Sequence, residues 1–237
     1  MINKEALRLG ALNFGVALDE TALDRFDKYA SLLCEWNKFM NLTAIKEPEE
    51  IVNKHFIDSL SLLSAVKIPE NAKIIDVGTG AGFPGIPILI ARNDLKVTLL
   101  DSTNKRLEFI KAVLEETGLS AETVHMRAED AGRDENYREK FDFATARAVS
   151  NLRELSEYCL PFVKKNGYFA PMKSAKTEDE IKEAEKAIKT LGGKTEKVIS
   201  FEIDGAGTRT VILIKKISQT SSAYPRPSAK MAKFPII

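Results

Sequence analysis

The sequence has few cysteines, a single tryptophan and no long apolar run. Two cysteines stand among 237 residues, and their isolated positions, Cys34 and Cys159, offer neither a disulfide framework nor a metal-ligand spacing. The longest uncharged stretch, 77–91, has 15 residues and includes four glycines and two prolines, whereas a membrane helix needs roughly 20 apolar residues. We therefore expect no disulfide, no bound metal and no membrane span.

The amino terminus also lacks an apolar signal core, because Lys4, Glu5 and Arg8 interrupt it. We therefore expect a cytoplasmic protein, and we expect it to be a monomer. With 44% hydrophobic and 29% charged residues, the chain has enough apolar residues for a sizeable core, which excludes a disordered protein.

Formal charge is nearly balanced over the whole chain, with 35 basic and 34 acidic residues. The two ends are unlike, however: residues 1–66 carry 7 basic and 10 acidic side chains, and residues 205–237 carry six basic side chains and no acid. This local excess of base favours a polyanionic partner, although the net charge alone argues against one. The candidate contacts for a polyanion such as RNA are Lys173, Arg209, Lys216, Arg226 and Lys230.

The N-terminal part shows helical periodicity. Apolar residues recur at three- and four-residue steps over 21–40, which predicts a helix with Asp19 as its N-cap. Pro48 suits the start of a second helix, on which His55 and Asp58 share one face. That pair fits an acid–base or RNA-contact role and equally a histidine packed against the rest of the protein.

Short β-rich runs begin after residue 72 and alternate with helical stretches, which predicts an α/β fold with a mostly parallel, doubly wound sheet. The runs are Lys73–Val77, Lys96–Leu100, Glu122–Met126, Phe141–Thr145, Gly167–Met172, Lys197–Ile203 and Thr210–Ile217. The last two are joined by a short glycine turn and predict a terminal antiparallel hairpin. Thr177 and Glu180 form a capping-box pattern before the last helical stretch.

These patterns divide the chain into three parts: an N-terminal helical region over 1–66, an α/β domain over 67–217, and an extended basic tail over 218–237. In the first part, Trp36 and Phe39 are expected to pack in the core rather than to stack on bases.

The most informative segment is Ile74–Gly85, which has the pattern of a strand, a glycine loop and a helix. Glycines allow sharp turns and a close approach of the backbone to a ligand, and the helix after them presents free N–H groups. Asp101 ends the next strand 19 residues after Gly82, a spacing at which an acid binds ribose hydroxyls in nucleoside-binding folds. The combination predicts a nucleoside cofactor, whereas the loop alone would also fit a tight turn without a ligand.

The residue before the loop helps to select the cofactor. Gly80–Gly85 formally matches the dinucleotide pattern G-x-G-x-x-G. Asp76, however, would repel a pyrophosphate and would favour a cofactor with a sulfonium and an α-amino group. The acid-x-Gly-x-Gly-x-Gly pattern of Asp76, Gly78, Gly80 and Gly82 therefore favours S-adenosylmethionine over NAD. The closing hairpin is typical of class I methyltransferases and supports the same choice.

Open α/β sheets bind ligands at the carboxyl edge, so further site residues are expected after the third and fourth strands. Ala128 and Glu129 follow the third strand, where backbone amides and an acid suit adenine. Arg147 follows the fourth strand and is the candidate for orienting the methyl acceptor. In this assignment Asp101 binds the ribose, and Asp76 with the loop glycines surrounds the methionine part. Solvated charges or surface ion pairs are the alternative for Glu129 and Arg147, and no catalytic acid or base is assigned.

The segment after the fourth strand also discriminates among methyl acceptors. Residues 146–149 lack the Asn/Asp-Pro-Pro-aromatic motif typical of amino-group methylation, and Cys159 lies in a helical pattern, unlike the nucleophile of pyrimidine carbon methylation. The remaining acceptors are already nucleophilic, such as guanine N7, which presents a lone pair in the major groove. The sequence is compatible with an N7 acceptor.

Several segments over nearly the whole chain carry a family pattern: Asn41–Ala44, His55–Leu60, Asp76–Pro87, Asp101–Ser102, Lys105–Arg106, Arg127–Glu129, Arg147–Val149 and Tyr224–Arg226. In these segments the sequence resembles the bacterial 16S rRNA guanine-N7 methyltransferases, the glucose-inhibited division protein B (GidB) family. The resemblance implies N7 methylation of one guanine in 16S rRNA, with 16S rRNA or the small ribosomal subunit as partner. It also implies cofactor contacts at Gly78, Phe83, Ala128, Glu129 and Arg147.

Other functions remain open on the sequence. A nucleotide dehydrogenase would bind NAD(H) and not S-adenosylhomocysteine. A methyltransferase could act on another RNA or on a small molecule, and the latter would show no salt-dependent RNA binding. A non-enzymatic RNA-binding protein that senses the cofactor would bind without turnover.

Overall fold

The computed structural model describes residues 1–147, 150–174 and 177–237. Ala148 and Val149 belong to the motif quoted above after the fourth predicted strand, and they lie outside the described residues.

The N-terminal helices are α1 (Lys4–Leu12), α2 (Glu20–Trp36), α3 (Pro48–Ile51) and, after a π-helical segment (Val52–Ile57), α4 (Asp58–Ala65). Asp19 caps α2 as predicted, because its side chain accepts a hydrogen bond of 2.7 Å from the amide of Ala22. The helix ends before residue 40, where the prediction extended it. The reason is the side chain of Asn37, which accepts from the amides of Leu42 and Thr43 and turns the chain.

This turn changes the surroundings of the aromatic residues near the end of α2. Trp36 packs against Phe109 with ring centroids 5.7 Å apart. Phe39 is 85% exposed, so the expectation that it joins the core is wrong. The physical reason is the early end of α2, after which the helical periodicity no longer sets the direction of the side chain.

The sheet among the described residues has seven strands in the order β3-β2-β1-β4-β5-β7-β6. The strands are β1 (Lys73–Val77), β2 (Lys96–Asp101), β3 (Glu122–His125), β4 (Phe141–Arg147), β5 (Val163–Ser174), β6 (Gly193–Ile203) and β7 (Gly207–Lys216). The first five are parallel, and β7 pairs antiparallel with both β5 and β6. The predicted α/β fold with a closing antiparallel hairpin is confirmed.

The helices of this part are α5 (Gly85–Ala91), α6 (Asn104–Thr117), α7 (Ala128–Ala131), α8 (Leu152–Cys159), α9 (Glu178–Thr190) and α10 (Ser228–Lys233). Across the described ranges, none of the helices is both long and apolar enough to cross a membrane. The capping box predicted for α9 is wrong, since Thr177 makes no side-chain cap. Glu180 instead accepts hydrogen bonds from Lys173 Nζ at 2.7 Å and from the amide of Leu152 at 2.5 Å.

The sheet is covered on both faces by apolar cores. One core joins the N-terminal helices to α5 and α6, with Phe26 and Phe56 packed in the same cluster as Ile86 and Phe109. The other core holds residues of α8 and α9. The N-terminal helices therefore share a core with the sheet.

Residues 218–237 do not form the extended tail that their lack of apolar periodicity predicts. They contain α10, and Met231 within it is 1% exposed. The guanidinium of Arg138 donates to the main-chain carbonyls of Thr220 at 2.6 Å and Tyr224 at 2.8 Å. These contacts escape a search for apolar periodicity because an arginine of another segment makes them with backbone atoms.

A substitution at Tyr29 tests the connection between the N-terminal helices and the glycine loop. The buried hydroxyl of Tyr29 donates to the carbonyl of Ala81 at 2.5 Å. Tyr29→Phe should lower the free energy of unfolding by about 1–3 kcal/mol, because that carbonyl loses its partner in a buried site. Urea denaturation measures the loss. Tyr137→Phe is the control, since it removes an exposed hydroxyl bond to Glu122 and should cost less than about 0.5 kcal/mol. Equal losses would contradict a specific anchoring contact.

Candidate active site

The glycine loop leaves the carboxyl end of β1 in a conformation that depends on its glycines. Gly78, Gly80 and Gly82 have φ of 68°, 61° and 98°, a region that residues with a Cβ rarely occupy. At Gly80 the direction of a Cβ is open, with one atom, a backbone oxygen, at 4.0 Å. At Gly82 a Cβ would lie 2.5 Å from Ile86 and 2.9 Å from the Tyr29 hydroxyl. The loop is therefore tightly packed at Gly82, against Ile86 and Tyr29, and has open space next to Gly80.

Asp76 holds the two ends of this loop together. Its Oδ2 accepts from the hydroxyl of Thr79 at 2.6 Å and from the amide of Gly85 at 2.9 Å. The residue is fully buried, and this burial raises the pKa of its carboxyl to about 6. Its other oxygen, Oδ1, is buried and has no hydrogen-bond partner in the part of the chain that the structure describes.

Asp101 supports the middle of the loop from the end of β2. Its Oδ2 accepts from the amide of Gly80 at 2.9 Å, and its Oδ1 accepts from the amide of Thr103 at 2.8 Å. Arg106 lies 3.5 Å from the same carboxylate. Each carboxylate oxygen has two lone pairs, so Asp101 keeps acceptor capacity for a ligand hydroxyl.

A cavity of about 480 Å³ opens at the carboxyl edge of the sheet, beside this loop. This volume lies in the range typical of small-molecule sites. Its lining comes from the ends of β1, β2 and β3, from α7 and α8, and from the C-terminal segment. The polar and charged side chains in the lining are Asp101, Ser102, Arg106, Arg127, Glu129, Ser150, Glu154, Tyr158 and Ser228.

The residues predicted to bind the cofactor fall into two groups. Gly78, Asp101, Ala128 and Glu129 line the cavity. The others, Asp76, Gly80, Gly82, Phe83 and Arg147, lie outside its lining. Sequence reasoning missed Tyr158 and Glu154, because nothing in the periodicity of α8 marks the face that meets the cavity.

Arg147 lies in a buried cluster with the N-terminal helices. Its guanidinium donates to Asp58 Oδ2 at 2.8 Å and contacts His55 Nδ1 at 3.1 Å. It also lies 4.8 Å from the centre of the Phe83 ring, on which the His55 ring stacks at 4.4 Å. Side chains from three separate places in the sequence therefore meet under the glycine loop.

The imidazole of His55 is held in its neutral form. Burial, followed by the positive charge of Arg147, lowers its pKa to about 3. Its Nε2 lies 2.7 Å from the hydroxyl of Thr43. Burial raises the pKa of the Asp58 carboxyl, although Arg147 and Arg209 act in the opposite direction. These positions favour the packed-histidine interpretation of the pair.

The predicted RNA contacts differ in their exposure. Lys230 is exposed on α10. Lys173 pairs with Glu180 at 2.7 Å, and Arg209 lies 3.5 Å from Asp58. Lys173 and Arg209 therefore each have an acidic partner.

Lys216 requires a correction. Its side chain is fully buried and donates to the carbonyl of Leu160 at 2.6 Å and to the hydroxyl of Thr220 at 2.7 Å. Burial lowers the pKa of its ammonium to about 8, although the nearby Glu139 acts in the opposite direction. The prediction that Lys216 contacts RNA is wrong, because the ammonium faces the protein interior.

A glycine loop between β1 and α5, with a nucleoside-sized cavity at this edge of a seven-stranded sheet, defines a class I S-adenosylmethionine-dependent methyltransferase. Solved structures support the fold. An S-adenosylmethionine-dependent O-methyltransferase from Thermotoga maritima has a TM-score of 0.54 at 16% identity, over 80% of this chain and 73% of that chain. TrmN from Thermus thermophilus has a TM-score of 0.54 at 16% identity, over 70% of this chain and 53% of that chain.

Within this class, the chain belongs to the family described as rRNA small subunit methyltransferase G (GidB), which matches residues 22–211. The ribosomal RNA small subunit methyltransferase G of Acetivibrio thermocellus is 51% identical over 96% of this chain and 94% of its own length. That of Lachnoclostridium phytofermentans is 47% identical over 96% of this chain and 95% of its own length. The family expected from the sequence motifs is confirmed.

S-adenosylmethionine is the cofactor of this class, and the site fits it. The open space above Gly80 admits a ligand next to the backbone. Asp76 does not line the cavity, but its carboxylate, with an Oδ1 unpartnered among the described residues, immediately precedes the lining residues Val77 and Gly78, and its negative charge favours a cationic group there. The cavity beside them is lined by Asp101 and Glu129, two further acceptors for hydroxyl or amino groups.

His55 provides a test of the buried cluster by pH. The pKa of His55 is about 6.5 in the unfolded state and about 3 in the folded state. Below about pH 6.5, the folded state therefore binds fewer protons at His55 than the unfolded state does. The free energy of unfolding should thus fall on acidification, and His55 alone should account for about 2 kcal/mol between about pH 7 and pH 5. His55→Gln cannot titrate and should lose correspondingly less stability in urea denaturation over that interval.

The control for this experiment is His125→Gln, which replaces an exposed histidine. Because it keeps His55, it should retain the loss of about 2 kcal/mol that His55 causes on acidification. A loss in His55→Gln equal to that of the wild type would contradict a neutral, buried His55.

Proposed function

We propose that this protein transfers the methyl group of S-adenosylmethionine to N7 of one guanine in 16S rRNA. The observation that carries the proposal is the cavity at the carboxyl edge of the sheet, in a chain whose curated relatives are named ribosomal RNA small subunit methyltransferase G over nearly their full length. Small-subunit rRNA, free or within the small ribosomal subunit, is thereby the substrate.

The cofactor assignment follows from the acceptors around the cavity. The ribose hydroxyls would be held by Asp101, which keeps free lone pairs beside its bonds to the loop. The adenine would lie against Ala128 and Glu129 at the start of α7. The methionine part would face Gly78, Gly80 and Gly82, with Asp76 beneath them as the acid nearest its cationic groups.

The reaction requires little acid–base chemistry from the protein. When bound, the cofactor would supply an electrophilic methyl group on sulfur. The in-plane lone pair of guanine N7 would form the new N–CH3 bond as the S–CH3 bond breaks and S-adenosylhomocysteine leaves with the bonding electrons. N7 carries no proton, so no general base is needed in the transfer. The protein contributes the alignment of acceptor and methyl group and the exclusion of water, which can supply much of the rate acceleration.

Arg147 would act in this scheme by position. Its guanidinium is held by Asp58 and His55 and stacked on Phe83, and it is the last residue of β4. It would fix the end of β4, where the acceptor approaches, relative to the glycine loop. Phe83, which belongs to the glycine loop, would hold the loop in place through its ring contacts with Arg147 and His55.

The proposed RNA contacts begin with the basic residues that remain exposed. Lys230 and Lys233 lie exposed on α10, the helix whose first residue lines the cavity. Lys173 and Arg209 are partly buried on opposite faces of the β5–β7 pair, beside Glu180 and Asp58, and they would contact RNA separately rather than as one patch. Neutralisation of phosphates by such residues releases counterions and makes binding depend on salt.

Methyl transfer to 16S rRNA tests the function directly. Purified protein and tritium-labelled S-adenosylmethionine are incubated with small ribosomal subunits, and with deproteinised 16S rRNA, from a strain lacking the enzyme. Label should enter 16S rRNA, and nucleoside digestion followed by mass spectrometry should give N7-methylguanosine. Subunits from the parent strain, already methylated, are the control and should accept little label.

The outcomes separate the alternatives. Label on another RNA, on protein or on a small molecule would refute 16S rRNA as the substrate. A labelled nucleoside other than N7-methylguanosine would refute the acceptor atom. Cofactor binding without transfer would support a sensing protein, and stabilisation by NAD(H) alone would support a dehydrogenase.

The exposed lysines of α10 provide a second test. Lys230→Ala with Lys233→Ala should weaken binding of 16S rRNA and lower the slope of log affinity against log salt by about 1–2. Fluorescence titration at several salt concentrations measures both. The matched control is Lys73→Ala with Lys96→Ala, two exposed lysines at the amino ends of β1 and β2. An equal effect of both pairs would contradict docking at the carboxyl edge.

A further inference from the structure

The C-terminal segment, residues 218–237, is fixed to the domain by hydrogen bonds to its backbone. Arg138 donates to the carbonyls of Thr220, Ser221 and Tyr224 at 2.6, 3.1 and 2.8 Å. Arg133 donates to the carbonyls of Ser222 and Ala223 at 3.3 and 3.1 Å. Two arginines therefore hold the chain between the end of β7 and α10, and this attachment positions α10.

Arg226 makes the next attachment, to a carboxylate of α8. Its Nε and its amide donate to Glu157 Oε1, both at 2.8 Å, and a terminal nitrogen donates to Glu157 Oε2 at 2.7 Å. Glu157 is 2% exposed. The remaining terminal nitrogen of Arg226 donates to the carbonyl of Phe234 at 2.7 Å, beyond α10. One guanidinium thus ties both ends of α10 to α8.

This attachment lies next to the cofactor cavity. Glu157 precedes Tyr158, which lines the cavity, and Ser228, two residues after Arg226, lines it as well. Pro225 packs on α7, since a Cβ on Gly132 would lie 2.9 Å from its ring. Ser228 therefore shares the lining of the cavity with residues of α7 and α8 and with the ends of β1 and β2.

We propose that the C-terminal segment completes the wall of the cofactor site through Ser228, that Arg226 is the positioning residue that holds this segment in place through Glu157, and that Ser228 is a contact position for the adenosine part of S-adenosylmethionine. The inference rests on the cofactor site proposed above. It assigns Arg226 to cofactor binding, whereas sequence reasoning assigned it to RNA. A small polar residue at Ser228 leaves room for the ligand.

Binding of S-adenosylhomocysteine tests the proposal without RNA. By isothermal titration calorimetry, Arg226→Ala should raise the Kd for S-adenosylhomocysteine by about tenfold or more, because the wall loses its attachment. In methyl transfer, the same variant should raise KM for S-adenosylmethionine while kcat at saturating cofactor stays within about twofold. Arg226→Lys keeps the positive charge but cannot make the bidentate contact with Glu157, and it should recover part of the affinity that Arg226→Ala loses.

Ser228→Trp tests the wall without touching the ion pair. Its large ring should enter the cavity and raise the Kd by about tenfold or more, while the melting temperature stays near that of the wild type. Ser228→Ala removes only a hydroxyl and should change the Kd far less. Ala232→Trp, at an exposed position of the same helix outside the cavity lining, is the matched control and should leave cofactor affinity unchanged. If Arg226→Ala fails to fold, the comparison of Ser228→Trp with Ser228→Ala still tests whether the C-terminal segment lines the cofactor site.

The results also distinguish this inference from the proposed function. An unchanged Kd in Ser228→Trp, or an Arg226→Ala protein that loses thermal stability while retaining wild-type cofactor affinity, would overturn the inference. Cofactor binding with methyl transfer to an atom other than guanine N7 would overturn the proposed function alone. Wild-type protein that fails to bind S-adenosylhomocysteine would refute the cofactor site and this inference with it.

Discussion

Two buried carboxylates fix the glycine loop, and the rest of the site is built around that constraint. The loop takes three positive φ values at Gly78, Gly80 and Gly82, so it departs from regular helix and strand geometry, although the amides of Gly78 and Thr79 still donate to the carbonyl of Leu100 in β2. Asp76 and Asp101 supply further partners, through bonds to the amides of Gly80 and Gly85 and to the hydroxyl of Thr79. The cost of this arrangement is visible in the raised pKa of Asp76, which a cationic ligand would relieve by favouring the charged carboxylate.

The N-terminal helices complete the support of that loop from below. Tyr29 bonds to Ala81 and stacks near Phe83, and His55 stacks on the same ring. Arg147 closes the arrangement from β4. A neutral His55 suits this place, because a second positive charge beside the guanidinium would be buried and repelled. The helices therefore act as the floor of the cofactor loop, which explains why they share a core with the sheet.

The sequence predicted those features that depend on local chemistry. All seven strands, the loop and the acids at the ends of β1 and β2 follow from apolar periodicity, glycine spacing and charge at strand ends. Arg147 could not be placed in this way, because its partners Asp58 and His55 stand 89 and 92 residues earlier in the chain. The docked C-terminal segment was missed for a similar reason: its contacts run from arginine side chains to main-chain carbonyls, which leave no pattern in the segment itself.

The basic C-terminal region shows how charge in a sequence must be interpreted through partners. Six cations without an acid predicted a polyanion-binding tail, yet the acids that matter lie elsewhere in the chain. Glu157 forms an ion pair with Arg226, and Glu139 lies 3.3 Å from the buried Lys216. Only charges that remain exposed, such as Lys230, keep the counterions whose release drives binding to a polyanion. The excess of base thus divides into cations that pair with acids inside the protein and cations that remain exposed, which we propose as RNA contacts, and burial rather than count separates the two.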